Sequence, residues 1–541
     1  MKLILNRMLI VGIGMILSGL GAEERMVVRF VDPDKTVLTE FNETDYDIAA
    51  FKPGEFLDLV VAKSQYEELL SRGFQIIVTQ TEDQLRQNLG DVRDLYGYRN
   101  YDELLEDLQE IELQYPDICK LYDIGNTRGK EYSMEGNPYY NDYNHEIWAM
   151  KVSDNVAEEE DEPSVFYMAE HHAREPISLE VNMYVLNHII SNYGSDPIIT
   201  EEVNNKQIWF MPLVNPNGHK IVTDEVDLWW RKNIRDNNEN GSINFGGGDG
   251  VDPNRNYDWN WGGEGSSGDT NSETYRGPSA FSEPEIQAMR DILESHHFVT
   301  GITYHAYSEL VLFPFGYANN IQAPDHDALQ ELANDMAFTI PGQNGGYYDP
   351  IPSWQLYPAS GTTDDYAYGE HGVFSFTIEL ATQFIPPASQ VEGICEDNLE
   401  AALILLGRVD RKTLTGHITD AESGDPVVAE IYIDGIDNTG EFRKPYESDL
   451  FFGRYYRLLQ MGSYDVTFSA LGYETQTINN VSISPLQQTV LDIELEPILM
   501  VPVTGRVTEL PIVSAAGTGL SLRTSRPNNS LRRHPNRSRL S

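Results

Sequence analysis

The hydrophobic pattern divides the chain into sections, and the longest section alternates apolar runs with amphipathic helices. Between Tyr98 and about Asp410 the strand candidates are the runs VFYMA (Val165–Ala169), IWFMPLV (Ile208–Val214), VTGITYH (Val299–His305) and VFSFTIEL (Val373–Leu380). Such near-continuous apolar runs suit strands that are buried on both faces of a sheet. Their alternation with helices predicts an α/β fold for residues 98–410.

Different patterns flank this section. In residues 23–95, the β-rich runs Met26–Val31, Phe56–Ala62 and Phe74–Gln80 surround a helical pattern that ends at Gly73, which predicts a small α+β domain. The polar stretch Glu82–Asp94 is read as a linker or an exposed helix. In residues 413–497, short alternating strands separated by turn residues predict a β-sandwich.

The N-terminus has the pattern of a secretory signal peptide over residues 1–22. Two basic residues, Lys2 and Arg7, precede the apolar run Met8–Leu17, and small residues follow as far as Ala22. The run is too short to span about 30 Å of hydrocarbon, so no stable membrane anchor is expected. We therefore expect a secreted protein, either extracellular or periplasmic.

The C-terminal tail, residues 498–541, differs from everything before it. Six arginines and no acidic residue lie between Ser521 and Ser541. This composition predicts a disordered basic tail. Whether it is a functional arm or the product of a sequencing frameshift is left open by the sequence.

Charge and cysteine content narrow the function classes. The 541 residues include 38 lysines and arginines against 85 acidic residues, a formal net charge of −47. That charge repels polyphosphates and anionic lipids, so it argues against a nucleic-acid partner or a membrane-surface partner. The only two cysteines, Cys119 and Cys395, exclude a disulfide scaffold and an all-cysteine zinc site. They either pair with each other or are ordinary buried thiols.

The clearest candidate chemistry lies in the segment EHHAREP (Glu170–Pro176), which directly follows the predicted strand VFYMA. Functional groups in α/β sheets collect where strands end. His172 and Glu175 are three residues apart there, and His305 ends another predicted strand. Two histidines and one glutamate are a plausible ligand set for a catalytic zinc ion with one open position.

Five segments in order, HHARE, GVDPNRNYDWNW, SSGDTNSETYRGPSAFSEPE, TYHAYSELVLFPFGY and VFSFTIEL, resemble the zinc carboxypeptidases of the A/B family. The likeness is nearest to the secreted bacterial carboxypeptidase T type and covers residues 98–410. It implies a mixed-sheet α/β catalytic domain, one zinc ion per chain, and peptide or protein C-termini as substrates. For the flanks it implies an activation propeptide in residues 23–95 and a transthyretin-like, carboxypeptidase-regulatory β-sandwich in residues 413–497.

The resemblance also assigns the metal site and the catalytic groups. The zinc ligands would be His172, Glu175 and His305, with Asp252 fixing a ligand imidazole. Glu379 would be the general base that activates the water at the zinc, and Arg231 would stabilise the oxyanion.

Further residues match the substrate-binding groups of the family. These would be Asn254 and Arg255 for the terminal carboxylate, Arg174 for a further subsite, and Tyr357 as a mobile cover. Asp364 lies at the position that selects the C-terminal side chain, where an aspartate goes with Lys or Arg. Asp365 is adjacent, so local gaps leave the assignment between the two open. Ala306 departs from the usual serine after the third ligand, a change that should not abolish activity.

Three functions are compared. The first is a secreted exopeptidase with a preference for basic, or mixed, C-terminal residues. The second is a carboxypeptidase acting on diamino-acid-containing cell-wall peptides, against which the clamp of Asn254 and Arg255 and the presence of Tyr357 argue. The third is an inactive binding protein, against which the complete set of ligands and base argues. The sequence does not determine the oligomeric state.

Overall fold

The computed structural model describes residues 23–498 except 32, 34–36, 42–45, 53, 91–96 and 247. The predicted signal peptide, the tail from residue 499 onward and residues 91–94 of the predicted linker lie outside the described residues. Each helix of the described part is too short or too polar to cross a bilayer.

The N-terminal unit, residues 23–89, is a four-stranded antiparallel sheet in the order β2-β3-β1-β4. Its strands are β1 (Arg25–Val31), β2 (Asp47–Lys52), β3 (Phe56–Ala62) and β4 (Ile76–Thr81), and its helices are α1 (Val37–Glu40), α2 (Lys63–Ser71) and α3 (Glu82–Leu89). The strand β2, DIAAFK, was not predicted. It contains two alanines, which have low β-propensity, and it is held by pairing with β3 and by burial.

The second unit contains an eight-stranded mixed sheet in the order β11-β10-β12-β9-β7-β8-β6-β5. Its strands are β5 (Cys119–Asn126), β6 (Glu146–Val152), β7 (Ser164–Ala169), β8 (Gln207–Met211), β9 (Phe298–Ala306), β10 (Leu310–Phe313), β11 (Asp349–Pro352) and β12 (Phe374–Leu380). Its helices are α4 (Tyr101–Gln114), α5 (Arg128–Met134), α6 (Ile177–Asn192), α7 (Pro197–Asn204), α8 (Pro216–Thr223), α9 (Pro284–Ser295), α10 (His326–Ala337), α11 (Thr363–His371) and α12 (Ala388–Leu406).

The four strands predicted for this unit are confirmed as β7, β8, β9 and β12, and every residue of β7, β8 and β9 is buried. The run predicted to continue to Val214 ends at Met211. Pro212 follows, and it has no backbone N–H to donate to the ladder.

The pairing of β7, β9 and β12 brings three sequence-distant segments to one edge of the sheet. All three strands run parallel, with Ala169 opposite Tyr304 and Glu379 opposite His305. Their carboxyl ends therefore meet, and the segment Glu170–Pro176 leaves the sheet at the same edge.

The third unit consists of two β-sheets packed face to face. One sheet has the order β16-β13-β19, with β20 also pairing with β13, and the other has the order β15-β14-β17-β18. The strands are β13 (Thr413–Asp420), β14 (Glu430–Ile433), β15 (Tyr446–Glu447), β16 (Arg454–Leu458), β17 (Gly462–Ser469), β18 (Gln476–Ile483), β19 (Thr489–Val490) and β20 (Ile493–Leu495). Side chains from both sheets form its core.

The two cysteines are free, buried thiols. Of the two alternatives that the sequence leaves open, a disulfide or two buried thiols, the structure therefore has the second. Cys119 begins β5 and Cys395 lies in α12, and both pack in the large core of the second unit. Burial raises the pKa of the Cys119 thiol to about 12, so this group is a protonated packing residue at neutral pH.

Candidate metal centre and substrate pocket

His172, Glu175 and His305 converge at the carboxyl ends of β7 and β9. The Nδ1 atoms of the two histidines are 3.1 Å apart, and they lie 2.9 and 3.0 Å from the carboxylate oxygens of Glu175. A tetrahedral zinc site with bonds of about 2.0–2.1 Å has ligand atoms about 3.3 Å apart, so this buried donor set fits zinc. Within the described residues, the other acidic group of comparable spacing is Asp154, Glu160 and Glu162, whose oxygen-only donors suit harder cations.

Local backbone structure holds Glu175 in this position. Its N–H donates to the carbonyl of His172 in a turn that places the two side chains together. The backbone N–H of Ala306 also donates to the Glu175 carboxylate at 3.1 Å. The candidate ligands from the β7 loop and from β9 are thus connected by direct hydrogen bonding.

The carboxylate of Asp252 holds the imidazole of His172 and the guanidinium of Arg231 in place. The Nε2 of His172 donates to one carboxylate oxygen of Asp252 at 3.1 Å, which directs the Nδ1 lone pair toward the cluster. Arg231 donates twice to the other oxygen, at 2.9 and 3.1 Å. Burial opposes ionisation of Asp252, but Arg231 and His172 offset it and hold its pKa well below the ordinary value.

Glu379 lies beside the cluster because β12 pairs with β9 in register with His305. Its side chain lines the same cavity as the three zinc-ligand candidates. Burial and the negative charge of Glu175 raise the pKa of Glu379 above its ordinary value. The positive charges of Arg231 and Arg255 lower this pKa but do not cancel the rise. A carboxylate in such surroundings is suited to proton transfer.

The segment after Asp252 forms a short 3-10 turn, Pro253–Arg255, that begins with the Asn254 N–H donating to Asp252. Arg255 is positioned by donation to the carbonyls of Gly265 and Asn254, both at 2.8 Å. The side-chain oxygen Oδ1 of Asn254 accepts hydrogen bonds from the N–H and hydroxyl of Thr363, at 2.9 and 3.0 Å. Asn254 and Arg255 both line the cavity.

The cavity has a volume of about 50 Å³. Tyr357 and Asp364 also line it, together with the three zinc-ligand candidates. Asp364 accepts a hydrogen bond from the Ser353 hydroxyl at 2.8 Å. Asp365 instead accepts from the Gly316 N–H, and burial beside Asp364 raises its pKa well above the ordinary value. Asp364 is thus the member of the pair that faces the cavity.

Arg174 is placed differently from the other predicted residues. Its guanidinium forms a two-fold ion pair with Asp47 of β2, with N–O distances of 2.5 and 2.7 Å. Ala49, also on β2, lines the cavity. The sequence does not mark Asp47, Ala49 or Ser353 as functional residues. In β2 a β-bulge between Ile48 and Ala50 interrupts the two-residue alternation at Ala49, so no local pattern points to Asp47 and Ala49.

We expect the purified protein to hold one zinc ion per chain and the variant His305→Ala to lose most of it, because two remaining donors cannot complete the set. Elemental mass spectrometry of dialysed protein gives the stoichiometry. His188→Ala, on the partly exposed face of α6, is the matched control. Full zinc occupancy in His305→Ala would contradict the assignment.

Comparison with solved structures finds the same fold. A crystal structure of thrombin-activatable fibrinolysis inhibitor matches with a TM-score of 0.59 and 24% identity, covering 71% of this chain and 98% of that chain. Carboxypeptidase A from Helicoverpa armigera matches with a TM-score of 0.60 and 24% identity, covering 71% and 96%. These likenesses establish the carboxypeptidase fold of the mixed sheet.

Sequence comparison identifies the family. A family model described as zinc carboxypeptidase matches residues 104–401. Carboxypeptidase A1 of Rattus norvegicus is 31% identical over 324 residues, which are 58% of this chain and 71% of the relative. Carboxypeptidase B of Astacus astacus is 31% identical over 320 residues, 58% and 97%. The nearer likeness to carboxypeptidase T stays a prediction. The chain belongs to the zinc carboxypeptidase family and is a zinc-dependent metallocarboxypeptidase that hydrolyses C-terminal peptide bonds.

Proposed function

We propose that this carboxypeptidase is exported as an inactive precursor and removes single residues, preferentially basic ones, from peptide C-termini. The observation that carries the proposal is the cavity itself. It joins the zinc-ligand candidates, the half-buried carboxylate of Glu379, an asparagine–arginine pair and an acidic residue on its wall. Export is supported by the signal-peptide pattern in residues 1–22.

The catalytic roles follow from the positions of the side chains. Zinc held by His172, Glu175 and His305 would supply Lewis acidity to the attacking water and the scissile carbonyl. Glu379 takes a proton from the water at its carboxylate and passes it to the leaving amine, a role that suits a carboxylate of raised pKa. Arg231, kept in place by Asp252, donates to the carbonyl oxygen as it gains negative charge.

The asparagine–arginine pair accounts for exopeptidase action. A guanidinium binds a carboxylate through two parallel hydrogen bonds, so Arg255 with Asn254 is suited to the terminal carboxylate of the substrate. Tyr357 lines the same cavity and would cover the bound residue. A cell-wall carboxypeptidase remains an alternative within the same chemistry, but no contact in the cavity favours it.

Asp364 supports the preference for basic residues. Asp364 as a residue is only 4% exposed, and its carboxylate has the Ser353 hydroxyl as a neutral partner, so a cationic side chain entering the cavity would gain a charged hydrogen bond. An apolar side chain would leave that carboxylate with less solvation and no counter-charge, which costs free energy.

The N-terminal unit supports the precursor role because its charged residues pair with the site. Asp47 forms an ion pair with the guanidinium of Arg174. Asp58 of β3 accepts a hydrogen bond from the Tyr307 hydroxyl at 2.6 Å and also binds Arg29. Ala49 contributes to the cavity wall. We propose that this unit inhibits the enzyme and that cleavage in the segment between Leu89 and Tyr98 releases it.

Replacing Glu379 by Gln should lower kcat by about 10²- to 10⁴-fold, the contribution of a positioned general base. The zinc content should stay unchanged because Glu379 is outside the ligand set. Steady-state kinetics on a C-terminal arginine peptide, with elemental analysis, measures both quantities. Glu400→Gln, an exposed residue of α12, is the control, and wild-type activity in Glu379→Gln would exclude the proposed role.

Replacing Asp364 by Ala should lower kcat/KM for C-terminal arginine relative to leucine by about 10- to 100-fold, since a charged hydrogen bond is worth about 1.5–3 kcal/mol. The measurement compares peptides ending in Arg, Leu and Glu. Asp291→Ala, at an exposed position on α9, should leave the ratio unchanged. A wild-type enzyme that prefers Leu over Arg would refute the basic preference.

Replacing Asp47 by Ala should raise the activity of the full-length secreted chain by about fivefold or more, because the ion pair with Arg174 is a charged hydrogen-bonded contact. Limited proteolysis of the wild type should give a larger rise. Asp83→Ala, an exposed acid of the same unit, is the control. Equal activity of the wild type before and after proteolysis would show that the N-terminal unit is not inhibitory.

A further inference from the structure

The loop between β14 and β15 of the sandwich, residues 434–445, lies directly on the second unit. The backbone N–H of Glu441 donates to the carbonyl of Gln322, and that of Lys444 donates to the carbonyl of Gly369, both at 2.8 Å. Gly440 has a φ of +66°, and a Cβ there would lie 2.5 Å from the Gln322 oxygen. The contact is therefore too close for any other residue at this position.

Buried charges reinforce this contact. Asp325 accepts from Arg443 of the loop at 3.1 Å, from Arg457 of β16 at 3.0 Å and from the Tyr368 hydroxyl at 2.7 Å. Tyr368 belongs to α11, so the carboxylate of Asp325 connects that helix to two arginines of the sandwich. Lys444 additionally pairs with Glu370, two residues further along α11.

An aromatic series continues from the loop toward the cavity. The ring of Phe442 lies 6.5 Å from that of Trp259 with an interplanar angle of 13°, and Trp259 lies 5.8 Å from Phe315 with an angle of 7°. Phe315 precedes the cavity residue Gly316. The Trp259 carbonyl also accepts from the Gly361 N–H, at the loop that carries Tyr357.

The opposite end of α11 forms part of the substrate pocket. Thr363, its first residue, donates to the side-chain oxygen Oδ1 of Asn254, and Asp364 lines the cavity. Since α11 has only nine residues, its sandwich-bound end and its pocket end are about two turns apart. A shift at one end moves the other.

We propose that the loop 434–445 of the β-sandwich positions the substrate pocket, by fixing α11 and Trp259 and thereby the places of Asn254 and Asp364. This inference rests on the proposed function in taking those two residues as substrate contacts. The contacts described involve α11, Trp259 and residues 322–325, whereas His305 and Glu379 lie on β9 and β12. The loop should therefore govern KM more than kcat.

The test is Phe442→Ala in the full chain after activation. Phe442 is 73% exposed, so its truncation costs little stability. KM for a C-terminal arginine peptide should rise about three- to tenfold, the loss expected for one aromatic pair, with kcat within about twofold. Phe442→Tyr, which keeps the ring, should restore KM. Phe451→Ala, 69% exposed on the same sandwich but outside the loop, should leave KM unchanged.

An unchanged KM in Phe442→Ala, or an equal rise in Phe451→Ala, would overturn the inference. A fall in kcat and melting temperature that Phe442→Tyr does not rescue would also overturn it, since it would indicate a purely structural role. The wild-type enzyme could fail to prefer basic C-terminal residues, and this result is distinguishable from the outcomes above. In that case, KM of Phe442→Ala should still rise on whichever peptide the wild type does favour, because Asn254 would contact the terminal carboxylate of every substrate.

Discussion

The buried carboxylate of Asp252 is the interaction on which the rest of the site depends. It accepts from the imidazole of His172, from the guanidinium of Arg231 and from the backbone N–H of Asn254, so it joins the candidate metal cluster, the proposed oxyanion donor and the start of the proposed substrate clamp. A buried charge of this kind is stable only while its partners remain, and removal of one partner typically costs about 3–5 kcal/mol. The same carboxylate thus sets the geometry of the site and ties its parts into one unit.

The mixed sheet provides the second constraint. The general-base candidate and the third ligand are opposite residues of two parallel strands, Glu379 and His305, so backbone hydrogen bonds fix their separation. The loop after β7 then adds His172 and Glu175 at the same edge. Because the paired strands β9 and β12 carry His305 and Glu379, the flanking units can vary the substrate pocket without moving these two residues.

Much of this arrangement was predictable from the sequence, since the strands that carry the site are continuous apolar runs and the segment from His172 to Glu175 directly follows one of them. What could not be predicted depends on contacts between distant segments. Strand β2 has an alanine-rich, weakly β-forming sequence that is held by β3, so Asp47 and Ala49 carried no local signal. Two further contacts also lack a local sequence signal. Ser353 and Asp364 are 11 residues apart, and Phe442 and Trp259 are 183 residues apart.

The three units thus meet around one cavity: Ala49 of the N-terminal unit contributes to its wall, the mixed sheet carries the candidate ligands and the sandwich lies against the helix that forms another part of the wall. The most direct test of this account is the position of the anomalous-scattering peak at the zinc edge in crystals of the zinc-loaded protein. The account predicts one strong peak about 2.0–2.2 Å from His172 Nδ1, His305 Nδ1 and the Glu175 carboxylate. A zinc peak elsewhere, with none at this cluster, would contradict it.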